Sequence, residues 1–70
     1  MQTVAERMAR VGRVADRIGV FRLAREAGVP LSTVRSYAAR GWTTNNLPIC
    51  DKLIAAAERL ERAQRPSDAA

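Results

Sequence analysis

Apolar residues recur at steps of four and three along the first part of the chain, at Val4, Met8, Val11, Ala15 and Ile18. At 3.6 residues per turn they form one stripe of an amphipathic helix, with Arg7, Arg10, Arg13 and Arg17 on its other faces. Thr3 precedes this stripe and Glu6 follows three residues later, the spacing of a capping box. Gly12 weakens the helix slightly and lets another element approach closely. Gly19 breaks the pattern. A short second helix, 20–27, carries Phe21, Leu23, Ala24 and Ala27 as its apolar residues and turns Arg22, Arg25 and Glu26 outward. Gly28 stands where a left-handed residue closes such a helix, and Pro30 cannot continue it but suits the start of another.

The pattern predicts a third helix over 31–40 that buries Val34, Tyr37 and Ala38. At 100° per residue its far side is Ser32, Arg35, Ser36 and Ala39, flanked by Thr33 and Arg40, a polar, small and basic face. After a linker over 42–45, Asn46 is the expected N-cap of a last helix whose stripe is Leu47, Cys50, Leu53, Ile54, Ala57 and Leu60. Glu58 with Arg62 and Glu61 with Arg65 lie four apart, in the order that stabilises a helix from within. Pro66 ends that helix, and 67–70 is expected to be a frayed tail. The predicted fold is all-α, a compact bundle of four to five helices, with one domain over 1–65 and a flexible tail over 66–70. A chain of 70 residues buries a small core, so its stability is modest unless a partner adds to it.

Charge changes this picture. From Met1 to Arg40 there are eight arginines against three acids, and from Gly41 onward four bases against four acids, so the whole net charge of +5 belongs to the first half. Such a surface either binds a polyanion or is merely solvated. Arginine outnumbers lysine eleven to one, which supplies planar forks suited to phosphates and guanine edges. There is no histidine, and Cys50 is alone, so neither an internal disulfide nor a zinc set is expected. With no phosphate-cradling glycine loop and no carboxylate pair spaced to share a cleft, neither an enzyme nor a cofactor or small-molecule ligand is expected. No apolar run reaches the length of a signal peptide or a membrane span, so the expected compartment is the cytoplasm, without membrane contact.

The segment from Leu23 to Arg35 meets several demands at once. Ala24 is small where a second helix must cross, Gly28 tolerates positive φ in the turn, and Val29, Val34 and Tyr37 anchor the turn and the following helix. With these residues the chain resembles the lambda-repressor-like, Cro-type helix-turn-helix domains over residues 19–60, and the stretch from Asn46 to Ala56 resembles the family's next helix. The resemblance implies base-reading positions at Leu31, Ser32 and Ser36, neighbouring base or backbone contacts at Thr33 and Arg35, and phosphate contact at Asn45 and Asn46. Arg40 joins them from its place beside the reading face. The chain departs from the family at Leu31, where a polar reader is usual, and at Val20, where a polar phosphate contact is common. The stretch from Gly28 to Trp42 also resembles the opening of excisionase-type and mercury-resistance-regulator-type winged domains, which continue into a β-wing.

The function expected from these readings is a sequence-specific regulator of transcription. It would bind double-stranded DNA as a homodimer on an inverted repeat and act as a repressor in phage or mobile-element control. The alternative is a protein-interaction module of the same shape, antitoxin-like or inhibitor-like. Tyr37 and Trp42 are expected in the core, and Cys50 as a small buried hydrophobe. Arg7, Arg10 and Arg13 either line a DNA backbone or solvate the first helix, and Arg10 is the expected phosphate contact. The dimer interface is expected on the last helix, near Leu60, or on the first.

Overall fold

A computed structural model describes residues 2–63 and forms them into α1 (Val4–Ile18), α2 (Val20–Ala27), α3 (Leu31–Ala39) and α4 (Leu47–Ala63), with no strand among the described residues. The fold is therefore all-helical with four helices, within the expected number. The predicted helix end at Pro66 and the tail over 66–70 lie outside the described residues. A 17-residue helix stands where the winged domains would place their β-wing.

Local chemistry accounts for the ends of the helices. Thr3 caps α1 by accepting from the Glu6 amide through Oγ1 at 3.2 Å, while the Glu6 carboxylate accepts from the Thr3 amide at 3.0 Å, completing the capping box. The Thr3 amide, together with the Thr3 hydroxyl that donates to the same carboxylate oxygen at 3.1 Å, holds the Glu6 carboxyl below the usual carboxylate range. The chain turns from α1 into α2 on Gly19 alone. α2 and α3 then end in the same way. The Val29 amide donates to the Ala24 carbonyl at 3.1 Å, and the Gly28 amide to Arg25 at 3.4 Å. Likewise the Trp42 amide donates to Tyr37 at 2.7 Å, and the Gly41 amide to Ala38 at 3.2 Å. Both are Schellman closures, which require a left-handed residue, and Gly28 and Gly41 supply it with φ of 70° and 75°. Asn46 caps α4 as expected, its Oδ1 accepting from the Ile49 amide at 3.3 Å.

The core is drawn from all four helices: Met8, Val11, Val14 and Ala15 from α1, Leu23 and Ala24 from α2, Val34 and Tyr37 from α3, and Cys50, Leu53, Ile54, Ala56, Ala57 and Leu60 from α4, with Val29 in the turn. Met8, Leu23 and Leu53 are among the fully buried side chains, each contributing about 1.5–3 kcal/mol through removal from water. α1 and α4 both pack on α2, α1 also packs on α4, and α3 packs chiefly on α2.

Four apolar expectations are corrected. Val14 lies off the predicted stripe of α1 yet is fully buried, because α1 is covered from two sides, by α4 and by α2. Val4, at the open start of α1, is 38% exposed. Phe21, expected with the apolar residues of α2, is 65% exposed, since the helix turns Leu23 and Ala24 inward and leaves Phe21 on the outer side. Leu47, the first residue of α4, is 57% exposed because the helix begins before it reaches the core.

Trp42 joins the edge of the core, as expected, and lies against Gly12. A Cβ at position 12 would stand 2.7 Å from both Cδ1 and Nε1 of the indole. The neighbouring Tyr37 is buried as expected; burial pushes its phenol up from the ordinary value, and the adjacent Cys50 thiol adds to this. The Cys50 thiol itself is buried, as expected, and donates to the Thr43 carbonyl at 3.7 Å.

Gly12→Ala is therefore expected to destabilise the protein by about 1–3 kcal/mol through overpacking, outweighing a helix-propensity gain of about 1 kcal/mol. Urea unfolding followed by circular dichroism measures this. In a Trp42→Leu background the same substitution should lose its penalty and turn neutral or stabilising. The capping box gives a second expectation. Because the folded-state value of Glu6 is lowered, its contribution is present above the unfolded carboxyl value of about 4.3 and disappears as pH falls through the folded value. Glu6→Gln should thus lower the urea midpoint near neutrality, and the difference from the parent protein should vanish in acid.

Candidate nucleic-acid interface

The face to be tested is the outer side of α3. Pro30 stands at the N-cap and carries no side-chain cap bond, while its carbonyl accepts from the Thr33 and Val34 amides at 3.0 and 3.2 Å. Val34 and Tyr37 point into the core and anchor the helix, so the residues between them face away. Ser32, Arg35, Ser36 and Ala39 are exposed along one side, with Arg40 exposed at the C-cap. Leu31 and Thr33 are only half-exposed, and Leu31 packs against the edge of the core. Of the residues expected to read bases, Ser32 and Ser36 are thus fully presented, while Leu31 is held partly inward. Asn45 and Asn46 are exposed beyond α3 at the entrance to α4. The Asn45 side-chain Oδ1 accepts from the Thr43 hydroxyl at 3.4 Å, and the Asn46 Oδ1 is engaged in capping.

Charge on the surface is sorted by ion pairs that join separate helices. Arg10 Nε donates to Glu61 Oε1 at 2.6 Å, and Arg17 approaches the other oxygen of Glu61 at 3.6 Å. Arg7 pairs with Glu58 at 3.5 Å. On the other side of α4, Arg59 donates to the Glu26 carboxylate at 2.9 Å and to the Glu26 carbonyl at 3.0 Å. Two expectations are corrected here. Arg7 and Arg10 do not simply solvate α1, because packing brings the α4 carboxylates to them. For the same reason Glu58 pairs with Arg7 on α1 and not with Arg62 on its own helix, while Glu61 pairs with Arg10 and Arg17 and its expected partner Arg65 lies outside the described residues.

Among the described residues, Arg35 and Arg40 have no carboxylate within 4.0 Å, and the same holds for Arg13, Arg22 and Arg25. Their positive potential is not cancelled locally. No group of three or more His, Cys, Asp or Glu residues among the described residues is arranged to hold a metal ion. Among those same residues no helix is long and apolar enough to cross a membrane.

No family model matches this chain, and no curated protein or solved structure matches it significantly.

The Arg10–Glu61 pair is short and its carboxylate is 19% exposed, so it should couple α1 to α4 measurably. A double-mutant cycle of Arg10→Ala and Glu61→Ala should give about 0.5–1 kcal/mol of coupling, discounted because Arg10 is about one-third exposed. Repeating the cycle at about 0.02 M and about 0.5 M salt should show that coupling shrinking with ionic strength. A coupling near zero at low salt would leave the pair without energetic weight.

Proposed function

We propose that this protein is a sequence-specific regulator of transcription that reads double-stranded DNA with the outer face of α3. In this reading α2, the turn over 28–30 and α3 form a helix-turn-helix. The observation that carries it is the combination on α3: short exposed residues, Ser32, Ser36 and Ala39, beside Arg35 and Arg40, which have no ion-pair partner among the described residues, on a helix anchored from one side. A helix can lie in a major groove only if its outward side chains are short enough for close approach, and base selection needs donors such as a guanidinium directed at guanine.

Under this reading Ser32, Arg35 and Ser36 face base edges. Arg40 and the amides at the uncapped start of α3 meet phosphates, which suit a helix N-terminus. Leu31, half-buried, contributes apolar contact at the rim of the groove, such as a thymine methyl. Asn45 and Asn46 add backbone contacts from the start of α4. A single short helix contacts few bases, so two copies on an inverted repeat, one helical turn apart, supply the specificity that one lacks. The bound pair acts as a repressor by occupying a promoter. The arginines of α1 that are paired to α4 are left out of the contact set.

Selection from a random-sequence duplex pool at about 0.15 M salt, where non-specific affinity is weak, should enrich an inverted repeat. A folded protein that enriches nothing would overturn the reading. On the selected site Arg35→Ala should cost about 1–3 kcal/mol and relax preference at one position of each half-site. Arg10→Ala should leave both affinity and salt dependence unchanged at temperatures where the variant is folded.

A further inference from the structure

The outer face of α2 carries an aromatic side chain that neither the core nor the proposed DNA contacts employ. Phe21 is 65% exposed and, with Arg22, Arg25 and Glu26, lines a depression of about 510 Å³. Phe21 and Arg25 stand four residues apart, on the same side of the helix. Glu26 is the acid that could neutralise this face, but its carboxylate and carbonyl are both engaged by Arg59 of α4. Arg22 has the i,i+4 spacing to Glu26, yet no carboxylate among the described residues lies within 4.0 Å of it or of Arg25. The result is a phenyl ring beside two guanidinium groups that have no carboxylate partner among the described residues.

We propose that this face docks an acidic protein segment that presents an apolar side chain between carboxylates. Charge complementarity selects the partner's sign: Arg22 and Arg25 each call for a carboxylate, and Arg binds one through two parallel hydrogen bonds. The phenyl calls for an apolar group at the centre of the contact. Aromatic residues and arginine are the types enriched at the energetic centres of protein interfaces. A second copy of the chain is a poor occupant, because like faces meeting about a two-fold axis would oppose four arginines. A DNA backbone would satisfy the arginines but leave the ring without a role, since phosphate contacts use cations and hydrogen-bond donors. The proposal is independent of the DNA reading, because it concerns α2 and uses none of the α3 residues.

The test uses the full chain and a fluorescein-labelled helical peptide with leucines four apart among aspartates and glutamates. A matched peptide with glycines in place of the leucines is the control. Fluorescence anisotropy should show saturable binding of the leucine peptide that weakens by about tenfold or more with Phe21→Ala and with Arg25→Glu. Arg13→Glu, an equal charge change on α1, should alter it by less than about threefold. Because Phe21 and Arg25 are exposed, both variants should keep the parental circular dichroism and Trp42 fluorescence, and Arg25→Glu tests the site even if Phe21→Ala is poorly folded.

The proposal is overturned by equal binding of the glycine peptide, or by an Arg13→Glu loss as large as that of Arg25→Glu. Either result would mean charge attraction without a docking site. Absence of saturation up to about 1 mM peptide overturns it too. So does a Phe21→Ala loss confined to duplex DNA, which would make the face a nucleic-acid surface. Failure of the random-pool selection with peptide binding intact would sink only the DNA reading.

Discussion

An eight-residue helix must touch all three of the others, and the positions of α1, α3 and α4 follow from how it does so. α2 has little more than two turns, so it cannot give each neighbour a stripe of its own. It turns one fully buried leucine, Leu23, into the shared core and keeps Ala24 small beside it. A larger residue at position 24 would separate α2 from its neighbours and move α3, which packs chiefly on α2. The left-handed Gly28 immediately after it then sets the direction of α3. What α3 presents to the outside is therefore decided on α2.

Much of this was legible in the sequence because it depends on neighbours along the chain. The Thr3–Glu6 box, the Gly28 closure, the Asn46 cap and the extent of α3 all follow from residues within a few positions of one another. The errors concern distant partners. Glu58 was expected to pair with Arg62 within α4, and Glu61 was given no partner beyond its own helix, since spacing along one helix reveals only that option. Packing offers them Arg7, Arg10 and Arg17 instead. Val14 and Phe21 show the same limit. Periodicity finds an apolar arc but not how many neighbours cover it, so α1 buries more than its stripe and α2 less. On the candidate face the exposure of Ser32, Arg35, Ser36 and Arg40 followed from helical phase. The partial burial of Leu31 did not, because it depends on the core edge beneath the start of α3.

Folding also redistributes the charge excess that the first half of the chain carries. Three glutamates take up four arginines, and three of those arginines belong to α1. Among the described residues, the arginines of the first half without a carboxylate partner are thereby shifted from α1 toward α2 and α3, on Arg22, Arg25, Arg35 and Arg40, with Arg13 as the remaining one on α1. A count of charges along the sequence would point to the long first helix as the polyanion-binding element. The ion pairs tie that helix to α4 and leave the unpaired arginines of the first half mainly on the shorter helices.

The paired backbone closures of α2 and α3 have a consequence for how this protein can change. α3 is held by the Pro30 carbonyl at its start, by Gly41 and Trp42 at its end, and by Val34 and Tyr37 beneath it. The exposed side chains of Ser32, Arg35, Ser36 and Ala39 take no part in that support. Their identities are free to drift, or to be randomised in a library, while the scaffold stays folded. Surface substitutions of this kind usually cost within about 0.5 kcal/mol. On the proposed reading face, new selectivities would then be within reach of single substitutions in a chain whose small core tolerates few changes elsewhere.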